Sequence, residues 1–235
     1  MVKTGDLQVV KDKLKSLVRA IRQLGSRSSS FSGSEHYWDT RYEGGGDSGA
    51  GSYGRLSRFK ADTLNAFTKQ HKVQSVIEFG CGDGHQLSLA HYPQYVGIDV
   101  SPKAIEMCKQ RFQQDQTKSF YLYDTQLFDI HSPLFVADLG LSLDVVYHLV
   151  EDNVFENYMR HLFAVARRYV IVYSSNWNGN TPAAHVRHRQ FTSWIEEHAL
   201  EWRLVNVINN AYPYDESQPD DTSFADFFIY ANKVS

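Results

Sequence analysis

Hydrophobic positions follow two periods along the chain, and their alternation predicts the fold class. Short apolar runs typical of strands occupy residues 74–79, 95–98, 120–123, 137–143 and 169–173. Helical spacing of three and four residues marks segments 58–71, 102–114, 152–167 and 191–198. Two further β-rich runs lie near the end, at 203–208 and 224–231. Strands that alternate with helices predict a doubly wound α/β fold, with a seven-stranded, mostly parallel sheet, an antiparallel edge strand and helices on both faces.

The first 30 residues predict a separate segment. Apolar residues recur at helical spacing from Leu7 to Leu24, and lysines and arginines occupy the opposite face. A Ser/Gly linker follows. We therefore divide the chain into 1–30, an amphipathic basic helix with its linker, and 31–235, one α/β domain. The helix docks either on its own domain or a homodimer mate, which we favour, or on an anionic membrane or partner.

Composition narrows the functional classes. A formal net charge of -3 and a pI near 6.4 give no global basic field, so DNA is not an expected partner. Two cysteines are too few for a disulfide framework or a structural zinc site, and we predict no metal. No apolar run reaches the ~18 residues that a membrane-spanning helix requires. These features are typical of a cytoplasmic protein without a transmembrane segment.

A glycine-rich turn after the first strand is the strongest local signal. Residues 76–84 read VIEFGCGDG, with Gly80, Gly82 and Gly84 at alternate positions, and helix-compatible residues follow the last glycine. Glycine lets the backbone turn tightly and approach a ligand closely. The second strand ends YVGID and places Asp99 at its tip. A carboxylate there can accept hydrogen bonds from the ribose hydroxyls of a nucleoside cofactor.

The glycine spacing separates two such cofactors. A dinucleotide site carries glycines at the first, third and sixth positions, where pyrophosphate meets a helix N-terminus. This chain instead has G-x-G-x-G, preceded by Glu78. A carboxylate repels pyrophosphate but attracts the cationic amino-acid end of S-adenosylmethionine. The loop therefore favours S-adenosylmethionine, and an NAD-dependent oxidoreductase remains an alternative because Asp99 would serve either ribose.

The VIEFGCGDG and YVGID segments resemble motifs I and II of the class I S-adenosylmethionine-dependent methyltransferases, which share a Rossmann-like fold. The resemblance in strand order covers about residues 37–233. It implies a methyltransferase domain at 31–235, with the glycine loop at the methionine end and acidic residues at the ribose and the adenine amino group. The cofactor-binding residues that it implies are Glu78, Gly80, Gly82, Gly84, Asp99, Val100 and Asp124.

Polar residues after the fourth strand are candidates for acid–base chemistry. The segment 143–148 reads LDVVYH, without the N/D-P-P-Y tetrad of the methyltransferases that modify exocyclic amino groups or glutamine amides. Asp144, Tyr147 and His148 stand at the carboxyl end of a strand, where this fold places its ligands. His148 is the expected general base for a hydroxyl. The alternative is a histidine that packs against the following helix.

Two further segments are expected to contact ligands. The sequence HVRHR places cations next to apolar positions, which suits an anionic or hydroxyl-rich substrate bound by His185, Arg187, His188 and Arg189. An exposed basic turn is the alternative. The aromatic segment 36–42 and the glycine-rich segment 44–54 together predict a lid that is mobile until a ligand orders it. In it, Tyr37 would cover the cofactor and Arg41 would meet its carboxylate; the alternative is a helix packed on the core.

These residues together predict an S-adenosylmethionine-dependent methyltransferase. The missing tetrad, His148 and the HVRHR segment favour O-methylation of a small polar metabolite, a sugar or a glycan. One alternative is N-methylation of a protein or RNA that docks on the N-terminal helix. Another is a non-catalytic module that binds S-adenosylmethionine.

Overall fold

The predicted strands form one twisted sheet in the computed structural model, which describes residues 31–234. The strands are β1 (Ser75–Phe79), β2 (Gln94–Asp99), β3 (Lys118–Leu122), β4 (Ala137–Leu143), β5 (Ala166–Ser174), β6 (Gly179–Asn180), β7 (Arg187–His188), β8 (Trp202–Ile208) and β9 (Asp226–Asn232). The α-helices are α1 (Ser34–Glu43), α2 (Gly54–Gln70), α3 (Pro102–Arg111), α4 (Asp152–Val165) and α5 (Phe191–His198). The amphipathic helix and linker expected in 1–30 lie outside the described residues, so the division of the chain at residue 30 stays a prediction.

The order of the strands confirms the doubly wound fold. Seven strands of the described chain form a sheet in the order β3-β2-β1-β4-β5-β9-β8, and β6 pairs separately with β7. The pairs from β3 to β5 are parallel, whereas β9 is antiparallel to both β5 and β8. The reversed strand thus lies one position inside the edge. The chain changes direction between β1 and β4, and ligands of such sheets bind at the carboxyl ends of the strands there.

The core has one layer on each face of the sheet. Alternate residues of β1 point to opposite faces: Ile77 and Phe79 pack with α4 and α5, and Val76 packs with α2 and α3. This alternation buries both faces of the central strands, which is why their sequences read as nearly continuous apolar runs.

Local sequence explains where α3 begins. Ser101 caps the helix and accepts a hydrogen bond from the backbone N–H of Ala104, and Pro102 supplies a fixed φ angle at the first helical position. Because Ser101 follows Asp99 by two residues, the cap also fixes the backbone at the carboxyl end of β2, where ligands of such sheets bind.

Two features differ from the expectation. Residues after the glycine loop were expected to continue as a helix, but they form only a 3₁₀ turn, Leu87–Leu89. Pro93 directly precedes β2 and disfavours a helical backbone at the residue before it, so a helix after the loop would have to end early. In addition, α2 begins at Gly54, four residues before the predicted start.

None of the helices in residues 31–234 is long and apolar enough to cross a membrane.

Candidate functional site

The glycine loop between β1 and the 3₁₀ turn is shaped by close contacts on two sides. Gly80, Gly82 and Gly84 have φ angles of 80°, 57° and 73°, a region that disfavours side chains. A Cβ on Gly80 would lie 2.5 Å from Val145 Cγ2, and one on Gly82 would lie 2.4 Å from Ser48 Oγ. The loop is therefore confined between the segment after β4 and the segment before α2.

Asp99 ties this loop to the end of β2. The Asp99 side chain is buried, and its two carboxylate oxygens accept hydrogen bonds from the backbone N–H groups of Gly82 (2.9 Å) and Ser101 (3.0 Å). Burial raises its pKa to about 6, although these hydrogen bonds act in the opposite direction. Val100 beside it is half-buried and packs against the core on the α4 and α5 side.

Glu78 is a second buried carboxylate, at the end of β1. It accepts a hydrogen bond from the hydroxyl of Tyr95 at 2.7 Å. Burial raises its pKa to about 7, and the nearby Lys60 ammonium offsets part of that effect. A carboxylate with a raised pKa is stabilised by any cation that comes close to it.

Asp124, the expected adenine contact, is exposed after β3. Its carboxylate accepts hydrogen bonds from the backbone N–H groups of Gln126 (2.7 Å) and Leu127 (3.2 Å). The side chain thus stabilises its own turn, a local role typical of aspartate. A contact with adenine stays a prediction.

Helix α1 lies across the carboxyl ends of β2 and β4. At its start, the Ser34 hydroxyl donates to the carboxylate of Glu151 at 2.6 Å. In the middle, Tyr37 stacks on His185 with ring centroids 4.1 Å apart. One residue later, Trp38 meets His148 edge-on at 4.9 Å. Asp39 accepts a hydrogen bond from the hydroxyl of Ser101 at 2.9 Å. The segment is thus a helix packed over the carboxyl ends of β2 and β4, and its action as a lid stays a prediction.

The glycine-rich segment 44–54 is bonded to the glycine loop through Asp83. This carboxylate is 1% exposed and accepts hydrogen bonds from the Tyr53 hydroxyl (2.6 Å) and the Ser48 backbone N–H (3.1 Å). In return, the backbone N–H of Asp83 donates to the hydroxyl of Ser48 at 3.0 Å. Burial raises the pKa of Asp83, but its hydrogen bonds outweigh that effect and leave the pKa below its ordinary value. We expected this segment to be mobile until a ligand orders it; here the protein's own contacts hold it.

Arg41 lies at the end of α1 and is engaged within the same segment. Its guanidinium donates to the backbone oxygen of Asp47 at 2.6 Å and to the carboxylate of that residue at 2.9 Å. The expected contact of Arg41 with the cofactor carboxylate would replace this exposed ion pair, and it stays a prediction.

His148 sits in a 3₁₀ turn after β4 and is held in one orientation. Its Nδ1 lies 3.0 Å from the backbone oxygen of His185. A carbonyl oxygen can only accept, so Nδ1 carries the hydrogen and Nε2 keeps its lone pair. Burial lowers the pKa of His148 to about 4, and the ring is therefore neutral at pH 7. The rings of Trp38 and Tyr147 flank it at 4.9 and 4.5 Å.

Asp144 and Tyr147 belong to a buried polar group that includes Lys60. The Asp144 carboxylate accepts hydrogen bonds from the Tyr147 hydroxyl at 2.9 Å and from the Lys60 ammonium at 2.5 Å. Burial raises the pKa of Tyr147 well above its ordinary value, so the hydroxyl stays protonated. Lys60 is not among the residues that the sequence patterns predicted for the site. A signal was present, because the lysine stands on the apolar stripe of α2, four residues after Leu56 and four before Leu64.

The HVRHR segment packs on the loop that follows His148. The guanidinium of Arg189 donates to the backbone oxygens of Leu149 (3.2 Å) and Val150 (2.8 Å), and Arg187 donates to that of Val150 (3.0 Å). Both arginines also pair with Asp152. Protein acceptors thus hold both cations, and their contact with a substrate stays a prediction.

His188 and His185 occupy different environments within that segment. His188 is buried, with its Nδ1 2.7 Å from the hydroxyl of Ser175. His185 is the ring that stacks on Tyr37 under α1, and burial lowers its pKa. His185 therefore lies in the same ring cluster as His148, with 5.5 Å between their centroids. Within residues 31–234, no group of three or more histidine, cysteine or acidic side chains could hold a metal ion.

The strand order and the glycine loop beside a buried aspartate define a class I S-adenosylmethionine-dependent methyltransferase. A family model described as "Methyltransferase domain" matches residues 70–213. The chain belongs to that family, and S-adenosylmethionine is its cofactor.

Known proteins with similar sequence or structure act on different acceptors. A small RNA 2'-O-methyltransferase of Arabidopsis thaliana is 27% identical over 171 residues, which cover 68% of this chain and 18% of that protein. The N-methyltransferase NodS from Bradyrhizobium japonicum WM9, in complex with S-adenosyl-L-homocysteine, superposes with a TM-score of 0.63 at 17% identity, over 85% of this chain and 98% of its own. The methyltransferase domain of bacterial CtHen1-C gives 0.59 at 22% identity, over 75% and 98%. These structural similarities show the fold.

Proposed function

We propose that this methyltransferase methylates a hydroxyl oxygen of a sugar or another polar metabolite, with His148 as the general base. The observation that carries the proposal is the hydrogen bond from His148 Nδ1 to the backbone oxygen of His185, because it leaves Nε2 as a free acceptor at the end of β4. A hydroxyl must lose its proton when it becomes an ether oxygen, and Nε2 can take that proton.

The cofactor would be held at the carboxyl ends of β1 and β2. When bound, S-adenosylmethionine supplies a methyl group from a positively charged sulfonium. Two buried carboxylates fit this charge and the ribose hydroxyls: Glu78 at the amino-acid end and Asp99 at the ribose. The backbone of Gly80 to Gly84 allows close approach. Tyr37 on α1 would then lie over the bound cofactor.

His148 is in the protonation state that a general base requires. With a pKa of about 4, the imidazole is neutral at pH 7, but it is a weaker base than an exposed histidine, so its contribution would come from the position of its free Nε2 lone pair. Trp38 and Tyr147 limit access of water to the ring. Tyr147 remains a hydrogen-bond donor to Asp144, so these two residues would position the turn that carries the base.

Two measurements test the proposal. Calorimetric titration with S-adenosyl-L-homocysteine should give micromolar binding that Asp99→Ala abolishes. Turnover on hydroxylated metabolites and glycans should then fall by about 10²–10⁴-fold in His148→Ala. His131→Ala, which removes an exposed histidine on the β3 side, is the matched control and should retain activity. Full turnover in His148→Ala would contradict the role of the base.

A ribose hydroxyl of RNA is a second candidate acceptor. It is supported by the 27% identity with a small RNA 2'-O-methyltransferase, over 18% of that protein. The proton would again pass to His148. Methylation of RNA oligonucleotides, but not of their 2'-deoxy counterparts, would select this acceptor over a metabolite or glycan.

A further inference from the structure

Two aromatic side chains are exposed near the 3₁₀ turn that carries His148. Trp177 and Tyr214 are 45% and 53% exposed. Both contact Phe224, with ring centroids 5.9 and 6.1 Å apart. His188 fills the space between Trp177 and Phe224, at 4.6 Å from each. We call Trp177, Tyr214 and Phe224 the aromatic platform.

The platform lies at the same edge of the sheet as His148. Because β9 is antiparallel to β5, the first residue of β9, Asp226, pairs with the last residue of β5, Ser174. The loops that carry the platform therefore leave the sheet at the carboxyl end of the parallel strands. Tyr147 joins the two places, at 5.0 Å from Phe224 and 4.5 Å from His148.

The rim beside Tyr214 is acidic. Four exposed carboxylic residues lie within the loop that follows it: Asp215, Glu216, Asp220 and Asp221. Arg55 is a cation on this rim; its Nε donates to the backbone oxygen of Asp221, and its guanidinium lies 4.5 Å from the ring of Tyr212. The carboxylates outnumber it, so this side of the site repels phosphate groups.

We propose that the aromatic platform is a subsite for a neutral oligosaccharide acceptor and holds the sugar next to the one that is methylated. This inference rests on the proposed function and names its substrate class. The apolar C–H face of a sugar ring packs on exposed Trp and Tyr rings. Carboxylates accept hydrogen bonds from sugar hydroxyls. Tyr147 and Phe224 separate the exposed rings from His148, so the platform binds a neighbouring sugar and not the reacting one.

The charge of the rim favours a glycan over RNA. Single-stranded nucleic acid also stacks on aromatic rings, but its binding grooves are positively charged along the backbone. Here the arginines of the HVRHR segment, Arg187 and Arg189, are held by backbone oxygens and Asp152, and Arg41 is paired with Asp47. A neutral polyhydroxylated chain carries no phosphate groups for the acidic rim to repel.

The test measures binding of the full chain, with S-adenosyl-L-homocysteine bound, to an array of neutral disaccharides and trisaccharides and to RNA oligonucleotides. Trp177→Ala and Tyr214→Ala should each weaken binding of the selected glycan by about tenfold and leave the affinity for S-adenosyl-L-homocysteine unchanged. Leu204→Ala is the matched control, since Leu204 is 46% exposed on the edge strand β8. It should bind as the wild type does.

Three results would overturn the subsite. No neutral glycan binds, or both variants bind the selected glycan with the affinity of the wild type, or RNA binds in a manner that depends on Trp177. The proposed function fails differently. If hydroxyl methylation depends on His148 but not on Trp177 or Tyr214, the function stands and the subsite falls. If a glycan binds through Trp177 but is not methylated, the platform binds glycans, whereas the proposed function, and with it the role of the platform as an acceptor subsite, falls.

Discussion

The ammonium of Lys60 lies 2.5 Å from the carboxylate of Asp144, and only 1% of the lysine side chain is exposed. The ring of Tyr173 faces the same ammonium, with its centroid 5.4 Å away. Asp144 itself has a φ of 60°. A buried ion pair thus joins α2 to the turn that carries His148.

Lys60→Met should lower the free energy of unfolding by about 3–5 kcal/mol, because it leaves the Asp144 carboxylate buried without its cation. Chemical denaturation measures this loss. The double variant Lys60→Met/Asp144→Asn removes both charges and should recover part of it. If the double variant is no more stable than Lys60→Met, the two charges do not stabilise each other.

Asp83→Asn should release the glycine-rich segment from the glycine loop. The amide loses the charge that attracts the Tyr53 hydroxyl and the Ser48 N–H, a change worth about 2 kcal/mol. Amide hydrogen exchange in residues 48–53 should accelerate by about 30-fold. Glu43→Gln is the control, since it removes an exposed carboxylate just before this segment and should change exchange little. Unchanged exchange in Asp83→Asn would mean that other contacts hold the segment.

Glu78 should make the free protein less stable as the pH rises. Its pKa in the folded state is about 7, against about 4.5 when unfolded, so the folded state holds a proton that the unfolded state has already released. The stabilisation is fully present below pH ~4.5 and is lost as the pH rises through 7, a change of about 3 kcal/mol. Glu78→Gln should lack this decline.

The measurement is chemical denaturation of wild type and Glu78→Gln between pH 4 and pH 8, without cofactor. The difference between the two proteins removes the contributions of other groups, including Asp99 and His148. A difference that stays constant across this range would show that the pKa of Glu78 is not raised.

Arg189→Gln should destabilise the loop after His148 more than Arg187→Gln does. Arg189 is only 11% exposed and donates to two backbone oxygens as well as to Asp152, whereas Arg187 is 37% exposed and donates to one. We expect losses of about 2 kcal/mol and about 1 kcal/mol in thermal unfolding. If Arg189→Gln instead raised the KM for the acceptor at unchanged stability, the arginine would serve the substrate.

The sheet and the cofactor loop were predictable because their signals are local. Buried strands read as apolar runs, and the glycines of the loop lie within 20 residues of Asp99. The order of the helices and strands followed from the same periodicities. One local expectation was wrong: the residues after Gly84 form only a 3₁₀ turn, because Pro93 and the start of β2 follow closely.

The partners of charged side chains could not be predicted in the same way. Lys60 meets Asp144 across 84 residues, and Ser48 meets Asp83 across 35. The arginines of the HVRHR segment look like ligand-binding cations in the sequence, yet backbone oxygens of Leu149 and Val150 accept their hydrogen bonds. Such pairings depend on how distant elements meet, which no periodicity encodes.

The proposed cofactor residues and the aromatic platform belong to different parts of the sheet. The glycine loop, Asp99 and His148 precede α4, whereas Trp177, Tyr214 and Phe224 follow β5. The loop 209–225 begins and ends on neighbouring antiparallel strands, so its length is not coupled to the register of β1, β2 or β4. If the aromatic platform binds the acceptor, exchange of this loop for another should change the preferred acceptor and leave the affinity for the methyl donor unchanged.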